Sequence, residues 1–542
     1  MKRILTFTIR AFALSALLLA PGAWAGTIQV TANLTTSQTW SAGNEYVLNG
    51  KIYVLSPAVL TIEPGTVIKG KTGSAGDPNT ISALFITQGA KIIANGTRTQ
   101  PIIFTSDQDD VTLPDDLPIY ARGLWGGVVI LGNTVLNTSL NTLGNASNPK
   151  FDVFEGLPDL QINGQYVHRY GGNNDDDNSG VLRYVSIRHA GFKITTDKEL
   201  NGLSLCCVGR GTTVDHVEIY AAADDGVEFF GGTVNTKYMV SAFNDDDSFD
   251  IDQGYRGKNQ FWFSIQEPGT KDNGGEWNGD PKELVVSNTP LANFEIYNAT
   301  WIGAGTGTTA NRGLLVRDYA APMVHNSILT EFGGSGISVD PDSGWFLTNG
   351  LIQIDNNLWW NFALPVAETA NAQTYLFNDA SKSNLLVDPM LTSISRGNTP
   401  PYQLDPRPQA GSPALSSPRT PPNTGFYTPA AYKGAFKDVN WASGWTALSE
   451  YGILSGQGGG EPPVYVIPPA PNRPELNAKL SGGSLQLSFA SQTSVTYQLQ
   501  SLTNLSSTNW FDEGSALPGT GSDIAIPIGT TNPSAYFRVR AY

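Results

Sequence analysis

The chain has 542 residues, of which 40% are hydrophobic and only 15% charged, and its formal net charge is −15 at pH 7. The hydrophobic content is sufficient for a folded core and excludes a disordered polyelectrolyte. The negative charge argues against nucleic acid and anionic membrane surfaces as partners, because both are bound through basic residues.

The N-terminus has the pattern of an export signal. Lys2, Arg3 and Arg10 flank the start of a short apolar run, and an Ala-x-Ala cleavage pattern ends at Ala25. The run is shorter than the roughly 20 apolar residues that span a membrane. The sequence therefore predicts a signal peptide over residues 1–25 and no transmembrane segment in the mature chain. The mature protein is expected to be secreted, located outside the cell, on its outer surface or in the periplasm.

A repeat of about 22 residues indicates stacked structural units. Residues 216–229 match residues 238–251, and each copy contains short strands of alternating apolar and polar residues separated by Gly, Asn and Asp turns. Stacking places Val227 and Phe249 in one continuous interior. We predict an all-β fold: a parallel β-helix over residues 26–453, right-handed because crossovers between parallel strands are right-handed.

The same strand and turn pattern recurs on both sides of this repeat. It begins near Tyr46, is interrupted by an insertion over residues 192–199, and continues in three segments that each place asparagine before an apolar strand. Asparagine tolerates the left-handed corner that a tight coil needs. The three segments are Phe294–Trp301, Val324–Leu329 and Ile354–Trp359.

The composition changes after Tyr451. Residues 454–473 are rich first in glycine and then in proline, which predicts a linker. Residues 474–542 contain alternating strands that predict a small β-sandwich. This module resembles the small immunoglobulin- or fibronectin-like modules of exported bacterial proteins.

Several segments carry a resemblance to a family of exported bacterial right-handed parallel β-helix proteins with a pectate-lyase-like fold. The likeness covers residues 27–453 and implies the fold and a surface location. It supplies no catalytic residues, because many members of that family have no assigned activity. The segments are Leu60–Ile68, Asn201–Leu203, Asp224–Gly232, and Gly434–Phe436 with Trp441 and Trp445.

The only two cysteines are the adjacent pair Cys206 and Cys207. Neighbouring Cα atoms are about 3.8 Å apart, below the usual range for a disulfide. No other cysteine or nearby histidine supplies a metal-ligand pattern. We predict packed or vicinally bridged thiols rather than a redox or metal centre.

Acidic residues concentrate between positions 152 and 280, and the repeat stacks three pairs of them one strand spacing apart. Like charges at about 4.8 Å repel by roughly 3 kcal/mol at an effective dielectric constant near 20. Three interpretations stay open: a solvated acidic face with Asx turns, a calcium site, and a catalytic carboxylate pair. The metal candidates are Asp224, Asp225, Glu228, Asp246, Asp247 and Asp250, and the catalytic candidates are Asp224, Asp225, Asp246 and Asp247.

The segment over residues 266–283 is polar and glycine-rich, and we predict that it forms a lip over the acidic coils. Trp262 and Trp277 are the candidates for stacking on a sugar ring. A comparison with polygalacturonase-like β-helix hydrolases is partial: Arg256-Gly257-Lys258 matches their Arg-x-Lys, but no Gly-His-Gly occurs.

The expected function is that of a secreted or cell-surface β-helix protein with a non-catalytic binding or structural role. Its expected partner is an extracellular polysaccharide or a cell-envelope component, and Ca²⁺ is the expected stabilising cofactor. The alternative is a polysaccharide hydrolase or lyase that uses the acidic coil residues. A hydrolase needs an acid and a base placed across a cleft, which aspartates on adjacent coils can supply.

Overall fold

A computed structural model describes residues 26–455 and 477–541 with gaps. The gaps are 75–76, 78, 115, 138–149, 196–197, 270–271, 281–288, 308–310, 398–402, 482–483, 492, 494–495, 503–510 and 529–535. The predicted signal peptide and most of the predicted linker lie outside the described residues and stay predictions. The chain divides into two compact units, residues 1–462 and 463–542.

The first unit begins with short strands that return at regular intervals. They are β1 Gly26–Val30, β2 Gln38–Trp40, β3 Asn44–Leu48, β4 Lys51–Val54, β5 Val59–Ile62, β6 Val67–Gly70, β7 Ala83–Ile86, β8 Lys91–Asn95, β9 Ile102–Ser106, β10 Val128–Leu131, β11 Asp152–Val153, β12 Gln161–Ile162, β13 Gln165–Tyr166, β14 Arg169–Tyr170, β15 Gly180–Arg188, β16 Phe192–Thr195 and β17 Lys198–Leu200.

The strands continue to the end of this unit, with a few short helical segments in its last third. The strands are β18 Leu203–Cys206, β19 Thr213–Tyr220, β20 Val227–Phe230, β21 Asn235–Ala242, β22 Phe249–Asp252, β23 Lys258–Ile265, β24 Gly275–Asn278, β25 Glu295–Tyr297, β26 Thr300–Ile302, β27 Leu314–Arg317, β28 Met323–His325, β29 Ile328–Phe332, β30 Ile337–Val339, β31 Gln353–Asp355, β32 Leu358–Phe362, β33 Leu385–Leu386, β34 Leu391–Ser393 and β35 Asp405–Pro408. The α-helices are α1 Pro341–Thr348, α2 Ala370–Ala372 and α3 Ala447–Glu450, a π-helical turn spans Gln373–Phe377, and 3₁₀ turns span Ala380–Lys382 and Pro413–Leu415.

Parallel pairing stacks most of these strands into a β-helix, whereas β11–β14, β12–β13, β16–β17 and β34–β35 form antiparallel pairs. One sheet contains nine strands, from β4 to β30, and the other contains eighteen. Val227 pairs with Phe249 and Glu228 pairs with Asp250, so the predicted 22-residue stacking is confirmed. Val227 and Phe249 are fully buried in the interior, because alternate residues of a strand point to opposite faces of its sheet.

The larger sheet bends at one residue of each coil, and that residue has a left-handed backbone. Asn298, Asn326 and Asn356 have φ of 58°, 53° and 63°, as the asparagine pattern predicts. In earlier coils the corresponding bends are aromatic or histidine residues: Tyr184, His216, Tyr238 and Phe261, with φ from 46° to 59°.

The aromatic bends stack on one another along the coil axis. The ring of His216 lies 4.3 Å from Tyr184 and 4.3 Å from Tyr238, and Tyr238 lies 4.9 Å from Phe261. A left-handed residue other than glycine is unfavourable by about 1–2 kcal/mol. Stacked ring pairs contribute about 0.5–1.5 kcal/mol each beyond their area burial, so the column offsets the strain of its own bends.

The parallel coil is shorter than the predicted span of residues 26–453. Its last parallel pair joins β32 to β33, at Leu385 and Leu386. Residues 387–455, here called the strap, contain an antiparallel pair and turns instead of further coils. The strap packs over the aromatic column: Trp445 meets Tyr184 at 5.6 Å, and Trp441 meets Tyr238 at 5.2 Å. The predicted coil end was therefore wrong, because tryptophans of the strap cover the coil from outside.

A buried charged group anchors the strap. Glu218 is fully buried and accepts hydrogen bonds from the Ser186 hydroxyl at 2.6 Å and from the backbone N–H groups of Ala447 and Leu448 at 2.6 and 3.3 Å. Burial raises the pKa of Glu218. Removing such an acceptor leaves buried donors unsatisfied, at about 1–3 kcal/mol.

A second segment, residues 150–172, covers the first half of the nine-stranded sheet and is here called the cover. Its Phe154 packs edge-on against Phe85 and Phe230, at 5.9 and 5.7 Å between ring centroids. Cys206 and Cys207 belong to the same buried cluster and are free thiols. The pair is therefore packed and not bridged, and burial raises the pKa of both thiols.

The second unit consists of antiparallel strands in two sheets. These strands agree with the alternating strands that the sequence predicts within residues 474–542, and the all-β class is confirmed. The likeness to immunoglobulin- or fibronectin-like modules stays a prediction. The strands are β36 Asn477–Ser481, β37 Ser484–Ala490, β38 Thr496–Leu502, β39 Phe511–Asp512, β40 Leu517–Pro518, β41 Asp523–Ile528 and β42 Tyr536–Ala541.

The close stacking of successive coils leaves no space for a side chain at Gly180. Gly180 opens β15 with φ of 117°, and a Cβ there would collide with the carbonyl oxygen of Ile92 in the preceding coil. We expect Gly180→Ala to lower the free energy of unfolding by more than about 3 kcal/mol, measured by chemical denaturation. Gly50→Ala is the matched control, because Gly50 has φ of 97° but no atom within 4 Å of the added Cβ. Its expected loss is about 1 kcal/mol, and equal losses in both variants would contradict this account.

Candidate functional site

Acidic side chains occupy the outer face of the nine-stranded sheet beyond the cover. The register sets Ser204 beside Glu228, Glu228 beside Asp250, and Asp250 beside Glu276. In earlier coils this outward column contains Tyr53, Phe85 and Val129, which lie in the cluster beneath the cover. The outer face therefore changes from apolar to acidic along the coil axis.

Two aspartates form the corners that lead into the acidic strands. Asp225 and Asp247 each precede a strand of the nine-stranded sheet. The Asp225 Oδ1 atom accepts a hydrogen bond of 3.0 Å from the backbone N–H of Asp247, and Asp247 accepts one from the backbone N–H of Asn273. These carboxylates thus join one coil to the next, as Asx corners do.

Three overlapping groups of carboxylates meet at this face. In each group the oxygen atoms lie within 4.8 Å of one another. We call these seven residues the acidic trough. The groups are Asp225 with Asp246 and Asp247, Asp225 with Glu228 and Asp250, and Asp247 with Asp272 and Glu276.

The structure brings together five of the six metal candidates predicted from the sequence. Asp224 belongs to none of the three groups, although its pKa responds to nearby charges. Asp272 and Glu276 were missed, because the coil that contains them is longer than the repeat. Glu276 can be recognised from the corner that precedes it. The corner Asn273-Gly274 ends two residues before Glu276, just as the corner Asp225-Gly226 ends two residues before the outward Glu228.

Burial and mutual repulsion disfavour ionisation of the trough. Asp225, Glu228 and Asp247 are 7%, 5% and 4% exposed. Burial, followed by the charge of nearby carboxylates, raises the pKa of these three and of Asp250 well above the usual range. The same causes raise the pKa of Asp246 to about 8.

Little positive charge balances these carboxylates. Within the described ranges, the one salt bridge to the trough joins Arg317 to Glu276. The amide groups of Asn201 and Asn273 donate to Glu228 and Glu276. Hydrogen bonds from neutral amides leave most of the negative charge uncompensated.

The donor set fits a hard divalent cation. All three groups offer only carboxylate oxygens, and the buried Oδ1 atom of Asn273 has no hydrogen-bond partner among the residues that the structure describes. Calcium–oxygen distances are about 2.3–2.6 Å, so ligands on opposite sides of one ion lie about 5 Å apart, which matches these groups. Zinc and copper prefer nitrogen and sulfur ligands, and the trough provides neither type.

The interpretation of Trp262 and Trp277 as sugar-stacking side chains is wrong. Trp262 and Trp277 are fully buried in the coil interior. Trp262 stacks on Phe249 at 4.2 Å, and Trp277 packs edge-on against Phe294 at 5.1 Å. The predicted lip is also incorrect where it is described, because Gly275–Asn278 is strand β24, which directs Trp277 inward and Glu276 outward.

These features define a parallel β-helix in which the outer face of the nine-stranded sheet is covered in its first half and acidic beyond the cover. A family model described as a pectate-lyase-like beta helix domain matches residues 32–386, and the chain belongs to this family. The match ends where the parallel pairing ends. A search of curated proteins finds no match. Among the described residues, no helix has both the length and the apolar character needed to cross a membrane.

The raised pKa values predict how stability depends on pH. The folded trough holds protons that the unfolded chain releases near pH 4, so without metal the free energy of unfolding should fall as pH rises from about 4 to 8. We expect the melting temperature in EDTA to decrease by several degrees over this range. Asp246→Asn should flatten the decrease, whereas Asp523→Asn, at an exposed residue of the second unit, should not. A melting temperature that increases between pH 5 and 8 in EDTA would contradict the prediction.

Proposed function

We propose that this protein is a secreted or cell-surface β-helix protein whose acidic trough binds calcium. Its role is non-catalytic: it binds or supports an extracellular polysaccharide or a cell-envelope component. The observation that carries the proposal is the sharing of Asp225 and Asp247 among three carboxylate groups, to which one arginine pairs within the described part of the chain.

Bound calcium offsets the electrostatic repulsion between the carboxylates of the trough. Without a cation, the carboxylates must stay protonated or repel one another across one strand spacing. A divalent ion at shared ligands favours the ionised form of each carboxylate. Because Asp225 and Asp247 each belong to two groups, two ions can occupy neighbouring positions along the coil axis.

A structural role agrees with the positions of the trough residues. Asp225 and Asp247 accept backbone hydrogen bonds at the coil corners, which fixes their carboxylates against the backbone. An ion held there joins adjacent coils and stiffens the face beside the cover. A stiff, elongated sheet face suits the binding of an extended polymer.

Single asparagine substitutions distinguish the carboxylates that bind calcium from those that only lie nearby. Calcium that binds only the folded state adds about 2.7 kcal/mol at a hundredfold excess over Kd, so the melting temperature should increase with calcium and decrease with EDTA. Asp225→Asn should abolish most of this response, because Asp225 belongs to two groups. Asp224→Asn is the matched control and should retain it, since Asp224 belongs to none. A calcium response that survives Asp225→Asn, or is absent from the natural chain, would overturn the calcium proposal.

A second candidate function, polysaccharide hydrolysis or elimination, is favoured by one observation. Asp252 lies at the end of β22, next to the trough, and burial raises its pKa to about 7. Its buried Oδ1 atom has no hydrogen-bond partner in the described ranges of the chain. A carboxyl group with a pKa near the working pH is suited to transfer protons.

A polysaccharide panel distinguishes the two functions. We expect the protein with calcium to bind at least one acidic or neutral polysaccharide without releasing reducing ends or unsaturated products. Binding is measured by co-sedimentation, and products by reducing-end and ultraviolet assays. Product release that is lost in Asp252→Asn, with calcium-dependent melting unchanged, would establish the catalytic function instead.

A further inference from the structure

The interior of the coil ends at an exposed leucine. Leu386, in β33, lies beside Trp359 in the parallel register, and Trp359 lies beside Leu329. Trp359 and Leu329 are fully buried in the core, whereas Leu386 is 57% exposed. The last residue of an interior column is therefore an apolar side chain with no described coil beyond it.

The first residue of the same column is exposed as well. Ile28, in β1, pairs with Tyr46 in β3. Successive parallel pairs continue this column from Tyr46, coil after coil, to Leu386. Ile28 is 41% exposed, and every residue of the column between Ile28 and Leu386 is buried. One interior column, apolar except for Ser241 and Ser264, thus runs the length of the coil and is exposed at both ends.

The strands at the two ends of this column have free edges. Within the described part of the chain, β1 pairs only with β3, and β33 pairs only with β32. A free edge presents unpaired backbone N–H and C=O groups, which natural proteins commonly protect with charged residues or proline. Residues 26–44 and 383–387 contain no charged residue and no proline. Both edges are therefore able to pair with a further strand.

The two ends of the coil complement each other in charge. Residues 340–390, in the last coils, contain six Asp and Glu and one Lys, whereas residues 26–71, in the first coils, contain three Lys and two Glu. The last coils also contain eight of the thirteen large apolar side chains that are exposed in the described ranges. The apolar, acidic end is thus suited to the slightly basic end and repels another end of its own kind.

We propose that the last coil of one chain binds the first coil of a second copy of the same chain. Strand β1 of one copy pairs in parallel with β33 of the other, which places Ile28 over Leu386 and Thr27 over Leu385 at one strand spacing of about 4.8 Å. The interior column then continues from one copy into the next. Because the contact joins two different ends, each added copy leaves one end free, and the assembly is a linear filament rather than a closed dimer.

Sedimentation velocity and negative-stain electron microscopy of the chain from residue 26 to residue 542 test this contact. We expect the average mass to increase with protein concentration without stopping at a dimer, and rods one coil wide to lengthen in parallel. Ile28→Lys and Leu386→Lys each place a charge on one free edge, and each should weaken self-association at least tenfold. Leu160→Lys, at an exposed leucine of the cover, is the matched control and should assemble as the natural chain does.

Mixing the two edge variants identifies which ends meet. Ile28→Lys keeps an intact last coil and Leu386→Lys keeps an intact first coil, so an equimolar mixture should form one-to-one dimers that do not lengthen. The proposal is overturned if the natural chain stays monomeric at its highest soluble concentration or stops at a dimer. It is also overturned if either variant alone assembles as the natural chain does, or if the mixture stays monomeric.

This contact lies outside the acidic trough and does not depend on calcium. Because Ile28 and Leu386 are exposed, we expect both edge variants to keep the melting temperature of the natural chain and its response to calcium. Unchanged melting shows that a loss of assembly comes from the edge and not from unfolding. Failure of the assembly proposal therefore leaves the calcium proposal intact.

Discussion

The constraint on which this structure depends is parallel stacking at one strand spacing of about 4.8 Å. Each coil places its residues directly over those of the preceding coil, so the chemistry of one position becomes a column. Inside, the columns are apolar and merge into one core. Outside, the same geometry stacks aromatic rings at the bends of the larger sheet and carboxylates on the nine-stranded sheet. Gly180 shows how little space the stacking leaves.

The outer columns are stabilised in different ways, according to their chemistry. Apolar columns need only to be covered, and the strap and the cover do this with tryptophan and phenylalanine side chains. A carboxylate column cannot be covered by apolar groups, because burying charge without a partner is strongly unfavourable. The cover ends where the carboxylates begin, and a bound cation would supply the positive charge that most of these buried carboxylates lack.

The coil and most of the trough are predictable from the sequence, and the reasons for the failures are physical. The 22-residue repeat correctly pairs Glu228 with Asp250 because their coils have equal length. It misses Glu276 because the next coil is longer. Trp277 was misplaced because a glycine-rich, polar stretch resembles a loop, yet alternation turns Trp277 inward. The sequence predicts further coil over the strap because short apolar segments alone do not show whether they form parallel strands of the coil or pack on its outer surface. Asp272 is missed for the same reason, because the longer coil shifts its corner out of the 22-residue repeat.

Under the calcium proposal, ion binding in the trough is coupled to folding through the coil corners. Asp225 and Asp247 accept backbone hydrogen bonds from the next coil, and the same carboxylates are shared among the candidate ligand groups. An ion bound there acts on the groups that hold successive coils in register, so its binding free energy adds directly to the free energy of unfolding. Loss of the ion would restore the electrostatic repulsion between the carboxylates at the coil corners. If the chain is exported and binds calcium as proposed, the stability of the central coils should follow the calcium concentration outside the cell, where binding modules commonly have Kd values of about 10⁻⁴–10⁻³ M.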